Sequence, residues 1–323
     1  MVTTLDATAL APPPALIFNP TAGQKLGLST NAGGADEAQR ALRAAGVPFD
    51  PRPTEHAGHA TELARAAVGE GRALVIAAGG DGTVGEVAQA LAGTSTVLGV
   101  MPLGSVMNMA RTLCIPRDLD EAARVIAGGR VLAMDLGRVE GTYFLEAAGV
   151  GLDAGLFAYF EQLDSRGVRT EVIQAALRFL RRLGTPRLLV EVDGWMRQVR
   201  APMVSVANGP FVGAAYAIAP EARINDGLLD VVIFRRVGVL RMLVHLVAVL
   251  GGRRLPPPPG AVTLRVRSVR VATRGRRPLP VHADGTAIGT TPARFQVVPG
   301  ALQVLTGQPE VGEACAWQEP DRA

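Results

Sequence analysis

The chain of 323 residues contains only two cysteines, Cys114 and Cys315. They lie so far apart in sequence that neither a disulfide framework nor a cysteine-based metal site is expected. Aromatic residues make up 4% of the chain and are not interleaved with basic ones, so no nucleic-acid partner is expected. Lys25 is the single lysine, and the arginine excess leaves a formal net charge of only +4. No apolar run is long enough to span a bilayer. The greasiest, 237–250, is broken by Arg241 and His245 and could equally pack in a core or rest on a membrane surface. Met1 to Pro14 has neither a cationic head nor an apolar stretch of signal length. It reads as a flexible leader, and the protein as cytoplasmic.

What is present is globular: 48% hydrophobic residues against 19% charged ones, in a chain long enough for two domains. Short apolar runs at Ala15–Phe18, 73–77 and 97–100 alternate with helical spacing at 35–45, 61–68 and up to Leu91. Strand–helix alternation of this kind predicts a parallel sheet covered on both faces. Near Gly128 the pattern changes to short runs separated by turns. Asp193-Gly194 and Asp284-Gly285 are placed as two-residue hairpin loops, and one helix is expected over 172–183. The expected organisation is a leader (1–14), an α/β domain (15–130), a mostly antiparallel β domain (131–306) and a loose tail (307–323). Pro256 to Pro259 reads as a stiff connector.

The stretch Ala77-Ala-Gly-Gly-Asp-Gly-Thr-Val-Gly-Glu86 carries the most chemistry. A buried strand runs into a glycine-dense turn with one carboxylate and one hydroxyl, and a helix follows. Glycines at 79, 80 and 82 allow positive φ and close approach, and amides at a helix N-terminus form a site for phosphate. A tight turn without ligand is the plainer alternative. The spacing Gly80-x-Gly82-x-x-Gly85 also matches the dinucleotide fingerprint, but no acid follows the next strand to hold a ribose hydroxyl. Two further polar loops, Asn19-Pro-Thr-Ala-Gly23 and Pro102-Leu-Gly-Ser105, follow other strands of the same sheet. Loops after parallel strands share one edge, where ligands bind.

Together these motifs resemble those of the diacylglycerol kinase catalytic family, which includes bacterial soluble lipid kinases and sphingosine and ceramide kinases. The likeness runs through Asn19-Pro-x-Ala-Gly23, Thr54-x-x-x-Gly58-His-Ala60, Gly79-Gly-Asp-Gly-Thr83 and Pro102-Leu-Gly104 with Ala110-Arg111. It continues in Gly149-Val-Gly-Leu-Asp-Ala154 and Pro220-Glu-Ala-Arg-Ile-Asn-Asp-Gly-Leu-Leu-Asp230. The glycine turn alone would also fit NAD kinases; the second-half motifs match the lipid-kinase branch. The resemblance implies ATP with Mg2+ bound in a cleft between the domains, a lipid alcohol as acceptor, and contact with the inner membrane face. It makes Asn19, Pro20, Thr21, Ala22, Gly23, Thr54, Gly79, Gly80, Asp81, Gly82, Thr83, Val84, Gly85, Glu86 and Ser105 nucleotide-facing. It also places a structural Mg2+ on the Asp226 carboxylate and the carbonyls of Arg223 and Leu228. Spacing alone makes Asp226-Gly227 an ordinary turn.

One departure bears on the chemistry. The family carries a glutamate, its expected general base, directly after a late Asp-Gly, and this chain has Asp284-Gly285-Thr286. A threonine hydroxyl has no useful proton affinity at neutral pH. Either Asp81 or Asp284 supplies the base, or the protein binds nucleotide and lipid without catalysis. Gly85 and Met107 stand where the family usually carries asparagine. His56 and His59, with no third ligand in view, read as surface residues.

Overall fold

Leu74–Gly79 and Val97–Pro102 are unbroken runs of apolar and small residues. In the computed structural model each is a strand buried at every position, as strands covered on both faces must be. The structure describes residues 2–22, 24–25, 28–29, 33–152, 186–213, 216–235, 260–275 and 277–307. The expected helices over 172–183 and 237–250, the connector Pro256 to Pro259, Gly23, Cys315 and the tail beyond Gly307 lie outside the described residues. The chain divides into two units, residues 1–134 with 300–323, and residues 135–299.

In the first unit, Ala15–Phe18 lies between Asp50–Pro53 and Leu74–Gly79, and Leu74–Gly79 lies beside Val97–Pro102, all in parallel register. Gln303 and Val304 pair in parallel with Val97 and Leu98. The sheet therefore gains a strand from the far end of the chain, which the division at residue 130 does not provide. Helices α1 (Ala35–Ala44), α2 (His59–Gly69), α3 (Asp81–Leu91), α4 (Asn108–Thr112) and α5 (Leu119–Gly128) alternate with these strands. The first, α1, begins with the Glu37 carboxylate accepting from the Gly34 amide at 3.0 Å. It stops at Gly46, whose φ of +76° suits a glycine just past a helix end. In α3 the residues Val84, Val87, Ala88 and Leu91 are buried, the three-and-four spacing of one helix face. The leader is not loose throughout: Val2–Thr4 pairs antiparallel with Arg130–Leu132, and the Leu5 amide donates to the Gly129 carbonyl at 2.7 Å. Cys114, just after α4, is disulfide-bonded, a correction to the expectation from sequence distance.

The second unit is antiparallel. One sheet orders Ala261–Val266, Leu229–Phe234, Met203–Ala207, Ala147–Gly151, Pro280–Ala283 and Thr286–Thr290. A second ladder joins Trp195–Arg200, Arg187–Val192, Ser268–Thr273 and the start of Ala293–Leu305. Alternate residues of both, among them Val204, Val231, Leu188, Val190 and Phe295, form one buried cluster. That is the alternation expected of packed sheets. The Asp-Gly pairs at 193–194 and 284–285 have positive φ at both residues and join strands in two-residue loops, as their chemistry requires.

Candidate functional site

Four loops of the first unit leave the carboxyl ends of neighbouring parallel strands and line one cleft of about 730 Å³. Asn19 to Ala22 follow the first strand. Thr54 to Ala57 follow the second, Gly80 to Thr83 the third, and Gly104 to Val106 the fourth. This is the edge where an open α/β sheet binds its ligands. Each loop is fixed at its root. The Asn19 amide donates to the Ala78 carbonyl (3.1 Å), Thr54 to Phe18 (2.8 Å) and Leu103 to Gly79 (3.0 Å). The Asn19 Oδ1 accepts from both the amide and the hydroxyl of Thr21, each at 2.9 Å, which closes the first loop on itself.

Gly79 and Gly104, rather than every glycine of these loops, are needed, and for close approach rather than for positive φ. None of Gly79, Gly80, Gly82 and Gly85 has φ in the left-handed region. A Cβ on Gly79 would lie 2.5 Å from the Thr83 hydroxyl oxygen, and one on Gly104 would lie 2.7 Å from the Gly80 Cα. Two strand-end loops thus pass backbone against backbone. A Cβ on Gly82 would meet nothing within 4 Å, so that position opens onto the cleft. Of the residues expected to face nucleotide, Gly79, Val84 and Gly85 do not line the cleft; Gly79 and Val84 are buried structural positions.

The carboxylates near the cleft are held by main-chain amides. Glu86 accepts from the amides of Gly58 (2.9 Å) and Ala60 (3.2 Å), and its carbonyl accepts from the Thr61 hydroxyl (2.8 Å). It therefore fastens the start of α2 to α3. The Asp81 Oδ1 accepts from the Met109 amide at 3.2 Å. Burial pushes the Asp81 carboxyl above its ordinary range, opposed by the amides of Met109, Asn108 and Met107 and by the charge of Arg111. Asp81 thus caps α4 from another element, a role its motif does not announce.

In the second unit, Asp284 is exposed as a residue, but its carboxylate is engaged by main-chain amides. Its Oδ2 accepts from the Leu145 amide (2.7 Å) and its Oδ1 from those of Glu146 (2.9 Å) and Ala147 (3.1 Å). Burial pushes its carboxyl up to about 6, against the pull of these three amides and of His282. It brackets the hairpin to the neighbouring strand. Thr286 is exposed at the start of the next strand.

The nearby carboxylate the sequence reading passed over is Glu146. It is half-buried, and its carbonyl accepts from the amides of Asn208 (2.9 Å) and Gly209 (3.0 Å). It lies two residues before Ala148, which pairs with Ala283, itself paired with Thr286. Glu146 therefore lies in the bend just before that strand, beside the Asp284-Gly285 loop, with its amide on the Asp284 carboxylate. The available signal was a single acid inside the apolar run 143–150.

The residues assigned to a structural Mg2+ do not fit that ion as they stand. The Asp226 Oδ1 accepts from the Leu228 amide at 3.0 Å, and its Oδ2 is held by the Arg265 guanidinium. Arg265 also lies 4.0 Å from Asp230. A guanidinium already meets the turn's negative charge, and an open set of hard oxygens is what Mg2+ requires. The turn itself is held by the buried Asp135, whose carboxylate accepts from the Gly227 amide at 2.6 Å. At the mouth of the cleft, His56 and His59 do gain a third neighbour in Glu62, which the sequence reading did not foresee. The His59 Nδ1, however, accepts from the Glu55 amide at 3.1 Å. That leaves the proton of the neutral ring on Nε2, the wrong tautomer for a ligand there.

Residues 13–139 match the model of the diacylglycerol kinase catalytic domain, and residues 147–306 match that of the YegS C-terminal NAD kinase beta sandwich-like domain. The chain is 30% identical over 273 residues to the "Probable lipid kinase YegS-like" of Pseudomonas putida, covering 81% of this chain and 87% of that protein. It belongs to the diacylglycerol kinase and YegS-like family of lipid kinases. The diacylglycerol kinase of Bacillus subtilis is 28% identical over 284 residues, covering 87% of this chain and 91% of that one. A crystal structure of a diacylglycerol kinase from Bacillus anthracis superposes with a TM-score of 0.69 over 93% of this chain and 98% of that one, at 23% identity. The two share a fold: an α/β domain with a parallel sheet, then a mostly antiparallel β domain.

Proposed function

We propose that this lipid kinase transfers the γ-phosphoryl group of MgATP to the hydroxyl of a lipid alcohol of diacylglycerol or sphingoid type. The observation that carries the reading is the cleft itself, with four strand-end loops converging on the N-terminus of α3. Among the described residues, no arginine or lysine lines it. In this reading the triphosphate is held by main-chain amides at the start of α3, which have no partner within the helix, and by the divalent ion it brings. Phosphoryl transfer depends mainly on such positioning and charge neutralisation.

The proton acceptor in this reading is Glu146. The acceptor hydroxyl gives its proton to the Glu146 carboxylate, and its oxygen forms a bond to the γ-phosphorus. The bond from that phosphorus to the bridging oxygen breaks, and MgADP leaves with the electron pair. Thr286 is too weak a base to compete. Loss of a general base typically lowers the rate by about 10² to 10⁴, so Glu146→Gln should fall within that range. Thr286→Glu added to that variant should recover at least an order of magnitude. Full activity in Glu146→Gln removes the base assignment. ATP binding without lipid-stimulated turnover in the wild-type protein supports a second reading, a nucleotide- and lipid-binding protein without transfer, which Thr286 favours.

A further inference from the structure

The hairpin formed by Arg187–Val192 and Trp195–Arg200 ends in two large apolar residues in water. Trp195 is 80% and Met196 61% exposed, the highest values among the exposed large hydrophobic side chains of the described residues. They directly follow the Asp193-Gly194 loop, so they sit at the tip, and alternation along the strand puts them on opposite faces. Trp195 pairs with Val192 and Met196 with Glu191. The tip is therefore apolar on both sides, and neither side chain helps the core. Trp195–Arg200 is an edge strand of its ladder, with only Val199 buried.

The cations are arranged around this tip. Arg197 follows Trp195 on the same face and is exposed. Exposed Arg267 directly precedes Ser268. The Ser268 amide donates to the Asp193 carboxylate at 3.2 Å, and its carbonyl accepts from the Asp193 amide at 3.4 Å. Arg270 stands on the neighbouring strand beside Glu191, 3.8 Å away and about half exposed. Tryptophan prefers the level where hydrocarbon meets headgroups. Arginine stems can lie along apolar surface while the guanidinium stays among anionic phosphates.

We infer that this hairpin is a membrane-docking wedge: Trp195 and Met196 enter the interface of an anionic bilayer while Arg197, Arg267 and Arg270 meet its headgroups. The inference rests on the lipid-kinase reading for its choice of partner, because a water-borne body must reach an acceptor held in a bilayer. A protein partner is the competing occupant. It would want the same apolar tip but would give no dependence on anionic lipid.

The test uses the full chain carrying Trp317→Phe, which leaves Trp195 as the single tryptophan. It is mixed with phosphatidylcholine vesicles with and without phosphatidylglycerol, free of diacylglycerol. Expected are a blue shift of Trp195 emission, quenching by brominated acyl chains, and binding that strengthens with phosphatidylglycerol and weakens with salt. Trp195→Ala with Met196→Ala, in the otherwise native chain, should lower vesicle co-sedimentation at least tenfold. Turnover on a detergent-dispersed acceptor and the melting midpoint should stay unchanged. Unshifted, unquenched emission, or undiminished vesicle binding in the double variant, overturns the wedge, whatever the kinase activity. A wedge that docks in a protein without transfer activity would instead overturn the kinase reading alone.

Discussion

Replacing Asp81 separates two roles that its glycine-rich motif merges. The Asp81 carboxylate accepts from the Met109 amide at 3.2 Å and also engages the amides of Asn108 and Met107. Asp81→Ala leaves these donors at the start of α4 without their acceptor. An unsatisfied buried donor costs about 1–3 kcal/mol, and a lost cap about 0.5–2 kcal/mol. Removing a desolvated carboxylate returns part of this, since burial raises its proton affinity. The net loss is then about 2 kcal/mol. For a unit of this size that lowers the melting midpoint by about 4–8 °C. Asp81→Asn keeps one acceptor oxygen and should lose about half as much. Differential scanning calorimetry of both variants, beside ATP titration calorimetry, checks this. An alanine variant that melts within about 1 °C of wild type with native ATP affinity would refute the capping role.

Gly104→Ala would place a Cβ 2.7 Å from the Gly80 Cα, a backbone clash no rotamer relieves. It should weaken ATP binding at least tenfold and destabilise by about 1–3 kcal/mol, whereas Gly82→Ala, open to the cleft, should melt nearly as wild type. Asp284 keeps its proton in the fold up to about pH 6 but ionises near 3.8 when unfolded. The folded state then binds more protons between those values, so this group's contribution to stability is lost as pH rises through the window. Asp284→Asn should flatten that segment of a pH–stability curve from urea titrations; an unchanged slope would contradict it. Glu86→Ala frees the amides of Gly58 and Ala60 and should raise the Kd for ATP several-fold by loosening the second loop. Native affinity in that variant would show the loop is held otherwise.

The local features were legible in the sequence because local chemistry sets them. Gly46 ends α1, both Asp-Gly pairs make hairpins, and apolar runs over 74–79 and 97–102 are fully buried strands. Edge strands were harder: Trp195–Arg200 has one buried residue, so no alternation marks it. Long-range pairing was invisible too. Nothing in Gln303 or Val304 announces Val97 and Leu98 as partners, and nothing in Val2–Thr4 announces Arg130–Leu132. At the site, the motifs located the cleft but misassigned the work of single residues. Gly79 and Gly104 serve close approach, Asp284 holds three amides, and Arg265 occupies the carboxylate assigned to a metal. A side chain's type shows what it could do, while its hydrogen-bond partners decide what it does.

The most direct test of the account is product identification. Purified protein is incubated with γ-labelled MgATP and mixed vesicles containing diacylglycerol and a sphingoid base, and the chloroform extract is analysed by mass spectrometry. A labelled phosphomonoester of one of these lipids is expected, formed by the wild type and reduced at least about a hundredfold in Glu146→Gln. Label that stays in ATP or appears only as inorganic phosphate would contradict it.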